Sequence, residues 1–142
     1  MSDVFGVFTR NTGADMEFVD KTSGVVQFAF RNSVGNQTVV SSTDLLTAHA
    51  GGGQTSALQL AAAINRITTV ATGNDSVKLP ISVAGLDVVV INAASANSLN
   101  VFGQTGDIIN ALSANTAFAV AAGKTCTFYC CTAGQWHSIL SA

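Results

Sequence analysis

The chain carries very little charge for a soluble protein. Asp, Glu, Lys and Arg make up 10% of its 142 residues, against about 25% in a typical soluble domain. Six basic residues are scattered among eight acidic ones, so we find no basic patch of the kind that binds nucleic-acid phosphates and expect no nucleic-acid partner. Hydrophobic residues reach 48%. Because interface cores are poor in charge, we expect copies of the chain or another protein to cover much of its surface.

Long apolar runs are also missing. Stretches such as residues 86–91 around Asp87 are far shorter than the roughly 18 residues of a membrane-spanning helix. The N-terminal residues include Asp3, Arg10 and Asp15 and lack the basic and apolar segments of a signal peptide. We therefore expect no membrane partner and a protein that stays in the cytoplasm where it is made.

Side chains that perform acid, base or metal chemistry are few. His49 and His137 are the only histidines, and Glu17 is the only glutamate. Cys131 and His137 could face each other across a hairpin as nucleophile and base, but the sequence supplies no recognisable orienting group or oxyanion loop. Four aspartates fall at turns or strand ends, where this residue commonly caps its own backbone: Asp44, Asp75, Asp87 and Asp107. We therefore expect that the protein is not an enzyme and that it has no catalytic residue, no metal site and no cofactor.

The three cysteines lie within six positions of one another. In an extended strand, Cys126 and Cys130 share a face but are about 13 Å apart, and Cys131 points to the opposite face. A disulfide needs Cα atoms within about 7 Å of each other. The spacing therefore predicts three unpaired cysteines, which act as small hydrophobic residues.

What the sequence does contain is a series of short apolar strands separated by Gly and Asn turns. They recur at the roughly ten-residue interval typical of sandwiches and barrels. The clearest are residues 86–92, 98–102, 116–120, 124–132 and 135–140. No linker-like composition divides the chain, so we predict one all-β domain over residues 1–142, an antiparallel β-sandwich or jelly-roll-like barrel formed by residues 14–142.

Residues 1–13 are interpreted as a short N-terminal arm, ended by the turn at residues 11–13. An equally favoured alternative is that they form the first strand of the sheet. Trp136 is a second candidate for an interface, since one tryptophan on a strand is commonly an interface or core anchor. The candidate interface residues are Val4, Phe5, Val7, Phe8, Arg10 and Trp136.

The middle of the chain is less clear. Residues 16–20 and 24–31 predict a β-hairpin, because apolar and polar residues alternate in the second segment. Residues 43–48 suggest a brief helical turn capped by Thr43. Residues 57–66 are rich in Ala and Leu, which favours a helix, but they run directly into a β-branched segment, and we favour a strand through most of them.

Residues 66–142 resemble a recurrent module in small structural proteins of tailed bacteriophages. Each motif alone is a turn signature, and the order and spacing of the set carry the resemblance. The motifs are Leu79-Pro80, Ala84-Gly85-Leu86, Val88 to Ala93, Asn97 to Phe102, Gly106 to Asn110, Ala122-Gly123-Lys124 and Gly134-Gln135-Trp136-His137.

This resemblance implies a virion protein, and modules of this kind are found in capsid decoration proteins and in tail or fibre components. We favour a decoration or cement protein on the exterior of the head, with the major capsid protein as partner. Together with the low charge, it suggests a homo-oligomer, a trimer being favoured. The alternative is a tail-fibre or other tail-associated component that binds a receptor or carbohydrate.

Overall fold

The computed structural model describes residues 41–142 throughout and, before them, only the backbone of three strands, β1 (Gly6–Thr9), β2 (Met16–Val19) and β3 (Val26–Phe28). The chain forms two compact units, Met1–Val40 and Ser41–Ala142. The division therefore falls at residue 40, whereas the sequence suggested one domain with an arm that ended at residue 13.

The three N-terminal strands form an antiparallel sheet in the order β1-β2-β3. Pairing of β2 with β3 confirms the hairpin predicted from the alternating pattern. β1 pairs with β2. This agrees with the alternative interpretation, in which residues 1–13 form a first strand and not an arm. Val4, Phe5 and Arg10 lie outside the described residues, and Val7 and Phe8 lie in β1, where only the backbone is described.

The second unit consists of ten strands in two sheets. A six-stranded sheet has the order β10-β13-β12-β8-β6-β4, and a four-stranded sheet has the order β11-β9-β7-β5. Their bounds are β4 (Ser42–Thr47), β5 (Leu58–Gln59), β6 (Ile64–Thr69), β7 (Ser76–Lys78), β8 (Asp87–Asn92), β9 (Leu99–Phe102), β10 (Ile108–Ile109), β11 (Phe118–Val120), β12 (Thr125–Thr132) and β13 (Gln135–Leu140). Every described element is a strand, which confirms the all-β prediction.

The path of the chain differs from the predicted sandwich or jelly roll. From β4 to β9 successive strands alternate between the two sheets. Within the larger sheet β6 pairs in parallel with β4 and with β8, and within the smaller sheet β7 pairs in parallel with β5 and with β9. This is the winding of a short β-solenoid. Among the strands β4 to β13, antiparallel pairing occurs in the C-terminal part, where β12 joins β8 to β13 and β11 joins β9. The wholly antiparallel prediction was wrong because, from β4 to β9, consecutive strands cross to the other sheet and do not form hairpins.

The core lies where the inner faces of these sheets meet. Val88, Val90 and Phe128 from the larger sheet are 0–2% exposed, as are Val77 and Val101 from the smaller one. Full burial of side chains of this size contributes roughly 1.5–3 kcal/mol each before ordering costs are subtracted. The two sheets are therefore held together by an ordinary hydrophobic core.

Two uncertain segments are resolved. Residues 57–66 contain β5 and the start of β6 and no helix, so strand is favoured over helix as predicted, but it covers half of the segment, and residues 57 and 60–63 lie outside both strands. The helical turn predicted over residues 43–48 is wrong, because β4 occupies them and pairs in parallel with β6. β4 is nevertheless irregular. Its register shifts around Leu46, and Leu45 adopts a φ of 57°.

Candidate interaction surface

The face of the six-stranded sheet that points away from the core, called here the outer face, is defined by the strand register. Residues paired across neighbouring strands share a face. One row contains Asp87, Tyr129 and His137, a central row contains Ile64, Val89, Thr127 and Ile139, and a third row contains Arg66, Ile91 and Thr125. These rows alternate with the buried residues of the same strands, such as Val90 and Phe128.

The outer face is apolar at its centre and open to solvent. Ile139 is 65% exposed and Tyr129 is 39% exposed, while Ile64, Val89 and Thr127 are half-buried. Scattered exposed apolar residues are normal on a soluble protein. Here they are neighbours across paired strands of one sheet, which is the arrangement of an interaction surface.

Charged side chains lie on both sides of the central row of the outer face. Asp87 lies in the first row and Arg66 in the third, on neighbouring strands. The Nη1 atom of Arg66 donates a hydrogen bond to Asp44 at 2.8 Å, the only salt bridge within residues 41–142. This bond, and after it the hydrogen bond from the Leu45 N–H, lowers the pKa of Asp44.

A second exposed apolar group lies on the loop of residues 80–86, called here the anchored loop. Ile81 is 74% exposed, Val83 is 55% exposed and Leu86 is 37% exposed. Between the first two, Ser82 donates a hydrogen bond to Asp107 Oδ1 at 3.1 Å and accepts one from the Gly134 N–H at 2.9 Å. The loop therefore presents apolar side chains from a backbone that is held on the core.

The loop is further fixed by main-chain hydrogen bonds to β12. The Gly85 N–H donates to the Cys130 carbonyl at 2.8 Å, and the Cys130 N–H donates to the Leu86 carbonyl at 2.8 Å. Gly85 has a φ of 93°, a conformation that costs glycine little. An exposed group held in this way loses little conformational entropy when it binds a partner.

Asp107 connects the loop to the centre of the core. It is 7% exposed, and its Oδ2 accepts hydrogen bonds at 3.0 Å from the Trp136 indole N–H and from the Gln104 N–H. Gly103 makes room for it, because a Cβ at that position would lie 2.6 Å from the Asp107 Cβ. The three acceptor contacts satisfy a carboxylate that would otherwise be costly to bury.

Trp136 is not an interface residue in this unit, contrary to the prediction from sequence. Its side chain is 0% exposed and belongs to the core cluster. A sugar platform at Trp136 is excluded for the same reason, whereas Tyr129 remains accessible. The sequence shows that Trp136 alternates with its neighbours but does not show which face of β13 is buried, since both faces carry apolar residues.

The cysteines are as the strand geometry predicted. All three are unpaired, with Cys126 and Cys130 buried and Cys131 exposed. Burial raises the pKa of the Cys126 and Cys130 thiols. His137 is opposite Tyr129, and Cys131 is the extra residue at a register shift in the hairpin. The structure therefore does not pair Cys131 directly with His137 across the strands.

Asp75 is a second buried carboxylate, and it organises loops at the other side of the unit. It is 1% exposed and accepts hydrogen bonds from the Thr72 hydroxyl at 2.7 Å and from the N–H groups of Ala71, Thr72 and Gly51 at 2.7, 3.1 and 3.3 Å. These bonds, the Thr72 hydroxyl above all, lower its pKa. Asp75 thus has the backbone-capping role that the sequence suggested for the aspartates.

Neither exposed group coincides with a cluster of metal-binding side chains. Within residues 41–142, no three His, Cys, Asp or Glu side chains are grouped so that they could hold a metal ion. In the same part of the chain we find no helix with the length and apolar character to cross a membrane.

The anchored loop was not recognised in the sequence, where Leu79-Pro80 and Ala84-Gly85-Leu86 were noted only as turn motifs. The signal was present as two apolar residues alternating with Ser82 between Pro80 and Gly85. Its anchoring could not be predicted, because Ser82 and Asp107 are 25 residues apart. Comparison of the chain with protein-family models, with curated proteins and with solved structures finds no match.

Proposed function

We propose that this chain is a homo-oligomeric structural protein of a tailed-bacteriophage virion, a decoration or cement protein that binds the exterior of the head through the major capsid protein. The observation that supports it best is the anchored loop. Ile81 and Val83 are 74% and 55% exposed on a loop fixed to the core by Ser82, and such a preformed apolar group suits docking on another protein.

The proposed mechanism is stabilisation of the shell by mass action. A protein that binds the assembled shell, and not its separated subunits, shifts the equilibrium towards the assembled state. At a free concentration of one hundred times the Kd, this contributes about 2.7 kcal/mol per site. Repetition over many sites on one shell makes a modest affinity sufficient.

The location of the protein is tested by electron cryo-microscopy of intact particles of the phage that encodes it. We expect density for this chain on the outside of the head. Density confined to the tail, or absence of the chain from the particle, would refute the head-decoration proposal.

The loop is tested by rebinding purified protein to heads that lack it. The double variant I81S/V83S should bind heads at least about tenfold more weakly, because each exposed apolar side chain covered in a complex contributes about 1.5–3 kcal/mol before ordering costs. The matched control is L45S, since Leu45 is 75% exposed but lies outside the loop. Equal loss in both proteins would exclude a specific role of the loop.

The N-terminal candidates Val4, Phe5, Val7, Phe8 and Arg10 stay part of the proposal as an additional contact with a neighbouring subunit or the shell. Because β1 pairs with β2, deletion of residues 1–10 would remove a paired strand together with the contact. Deletion of residues 1–5 removes Val4 and Phe5 and leaves β1 in place. If this shorter deletion leaves head binding unchanged, those two residues make no contact with the shell.

A tail-associated, carbohydrate-binding component is the second candidate function. Tyr129 favours it, because this exposed aromatic ring lies between Asp87 and His137 on the outer face. Aromatic rings with one polar tip suit surfaces that are partly wet. Binding of the protein to host cell-surface glycans, abolished by Y129A and retained in Y129F, would support this function over head decoration.

A further inference from the structure

We propose that two copies of this chain associate through the outer face of the six-stranded sheet. The two copies are related by a two-fold axis that lies in the plane of the interface, perpendicular to the strands. This pairing rests on the self-association included in the proposed function and names its surface. It gives a dimer contact, whereas the sequence favoured a trimer.

The register of the sheet determines what such an axis brings together. A rotation about a line across the strands places the strands of the two sheets antiparallel to each other. The central row of Ile64, Val89, Thr127 and Ile139 then lies over the same row of the second copy. The row that contains Asp87 lies over the row that contains Arg66. A two-fold contact of this kind is isologous and closes without further copies.

Charge selects this arrangement. Asp87 and Arg66 lie on opposite sides of the central row, on neighbouring strands that are about 4.8 Å apart. The rotation therefore brings each Asp87 beside the Arg66 of the other copy. An axis along the strands would place Asp87 beside Asp87, which is unfavourable. Opposite charges of the two copies are therefore brought together only when the axis runs across the strands.

Both charged groups are able to make this contact. Asp87 is exposed, and the only salt bridge within residues 41–142 joins Arg66 to Asp44, so Asp87 has no cationic partner in its own unit. Arg66 contacts Asp44 through Nη1. A guanidinium carries five N–H donors in a planar fork and can serve a second carboxylate.

The size of the face sets the expected affinity. Four strands, β6, β8, β12 and β13, about 4.8 Å apart and about six residues long, give a face of roughly 400 Å². A standard stable interface covers about 800 Å² per partner. The contact is therefore weak in solution, in the micromolar range or above, and becomes effective where copies are held close together on a surface.

The first test is sedimentation equilibrium of the full chain over micromolar to millimolar concentrations. The wild type should fit a monomer–dimer equilibrium. I139K should weaken association at least about tenfold, because the axis places residue 139 of one copy over residue 139 of the other, and two like charges would meet there within the central row. I81K is the matched control, since Ile81 is 74% exposed on the anchored loop, and it should associate as the wild type does.

The second test exchanges the charges. D87R should weaken association, because it places arginine beside Arg66 of the other copy. D44R/R66D preserves the local ion pair with reversed sign and should also weaken association at least about tenfold. The triple variant D44R/R66D/D87R restores opposite charges across the axis, and its affinity should return to within about threefold of the wild type.

Several results would overturn the pairing: a triple variant no tighter than the D87R and D44R/R66D proteins, an I139K protein that associates normally, or a mass that fits a trimer. Circular dichroism of each variant establishes that it is folded. Head binding is measured separately. A protein that pairs as described but never binds heads refutes only the proposed function, whereas one that remains monomeric and binds heads refutes only the pairing.

Discussion

The inner and outer faces of the six-stranded sheet are made by the same strands from similar residues, yet their environments are opposite. In β8, Val88 and Val90 are buried, while Val89 and Ile91, which alternate with them, are half-exposed. In β12, Phe128 is 0% exposed and Tyr129 is 39% exposed. The alternation identifies which residues share a face. It does not identify which face is the core, because both faces carry apolar side chains.

The largest contrast between the faces is expected in the reactivity of two neighbouring cysteines. Cys131 is exposed, whereas Cys130 and Cys126 are buried with raised pKa values. In native protein a thiol reagent should modify one cysteine rapidly and the other two at least about a thousandfold more slowly, since they react only after local opening. Denatured, unreduced protein should show three thiols. A stopped-flow titration of wild type and C131S measures both phases.

The variant C131S should lose only the rapid phase. Rapid modification of a second thiol in the native wild type would show that the inner face opens easily, and the contrast between the faces would fail. Fewer than three thiols in the denatured, unreduced protein would show that a disulfide forms.

The next largest effect concerns the free energy of unfolding. W136A should destabilise the protein by about 3–5 kcal/mol, as expected for removal of a buried aromatic side chain. I139A, on the other face of the same strand, should change the free energy of unfolding of the monomer by less than about 1 kcal/mol. Urea denaturation at concentrations that keep the chain monomeric measures both. Similar losses in the two variants would contradict the assignment of the faces.

The hydrogen bond between Trp136 and Asp107 can be separated from packing with W136F. This variant keeps an aromatic ring and removes the N–H that donates to Asp107 Oδ2 at 3.0 Å. S82A removes a different donor to the same carboxylate and loosens the anchored loop. If Asp107 links core and loop as described, the losses from these two variants should be non-additive in the double variant.

A smaller destabilisation is expected at the glycine that accommodates Asp107. G103A should destabilise the protein by about 1–3 kcal/mol, because its Cβ would lie 2.6 Å from the Asp107 Cβ and the core would have to shift. The matched control is G73A, where an added Cβ meets nothing within 4 Å. Urea midpoints that decrease equally for both variants would mean that Asp107 is not tightly enclosed.

Much of the C-terminal strand pattern could be predicted from sequence, since short apolar runs between Gly and Asn turns indicate strands whatever their partners. The sheet to which each strand belongs could not. β8 and β9 are consecutive but lie in different sheets, and β8 pairs instead with β6 and β12. Such pairing depends on contacts between residues distant in the chain, and turn residues carry little information about it.

The candidate surface was predicted even less completely than the fold. Trp136 was assigned to an interface because tryptophan is common in both interfaces and cores, and only its contact with Asp107, 29 residues away, shows which applies. The outer face was not recognised as a unit. Its rows combine residues from β6, β8, β12 and β13, and their register becomes known only from the folded sheet.

The smallest expected effect compares a buried carboxylate with an exposed one at acid pH. The pKa values of Asp75 and Asp44 are both lowered from 3.8, in Asp75 mainly by the Thr72 hydroxyl and in Asp44 mainly by Arg66. A carboxyl group with a lowered pKa in the folded state contributes stability at pH values above its unfolded pKa. That contribution is lost as the pH falls below 3.8 and through the folded value.

For Asp75 the test is T72V, which removes the hydroxyl donor and preserves the shape of the side chain. T72V should have a lower urea midpoint than the wild type at pH 7, and the difference should shrink as the pH falls below 3.8, because the protonated carboxyl no longer benefits from the lost bond. D44N should differ little from the wild type at either pH, since exposed ion pairs contribute little. A difference between T72V and wild type that stays constant with pH would place the effect in packing of the Thr72 side chain, and the buried carboxylate would then contribute no more acid sensitivity than the exposed one.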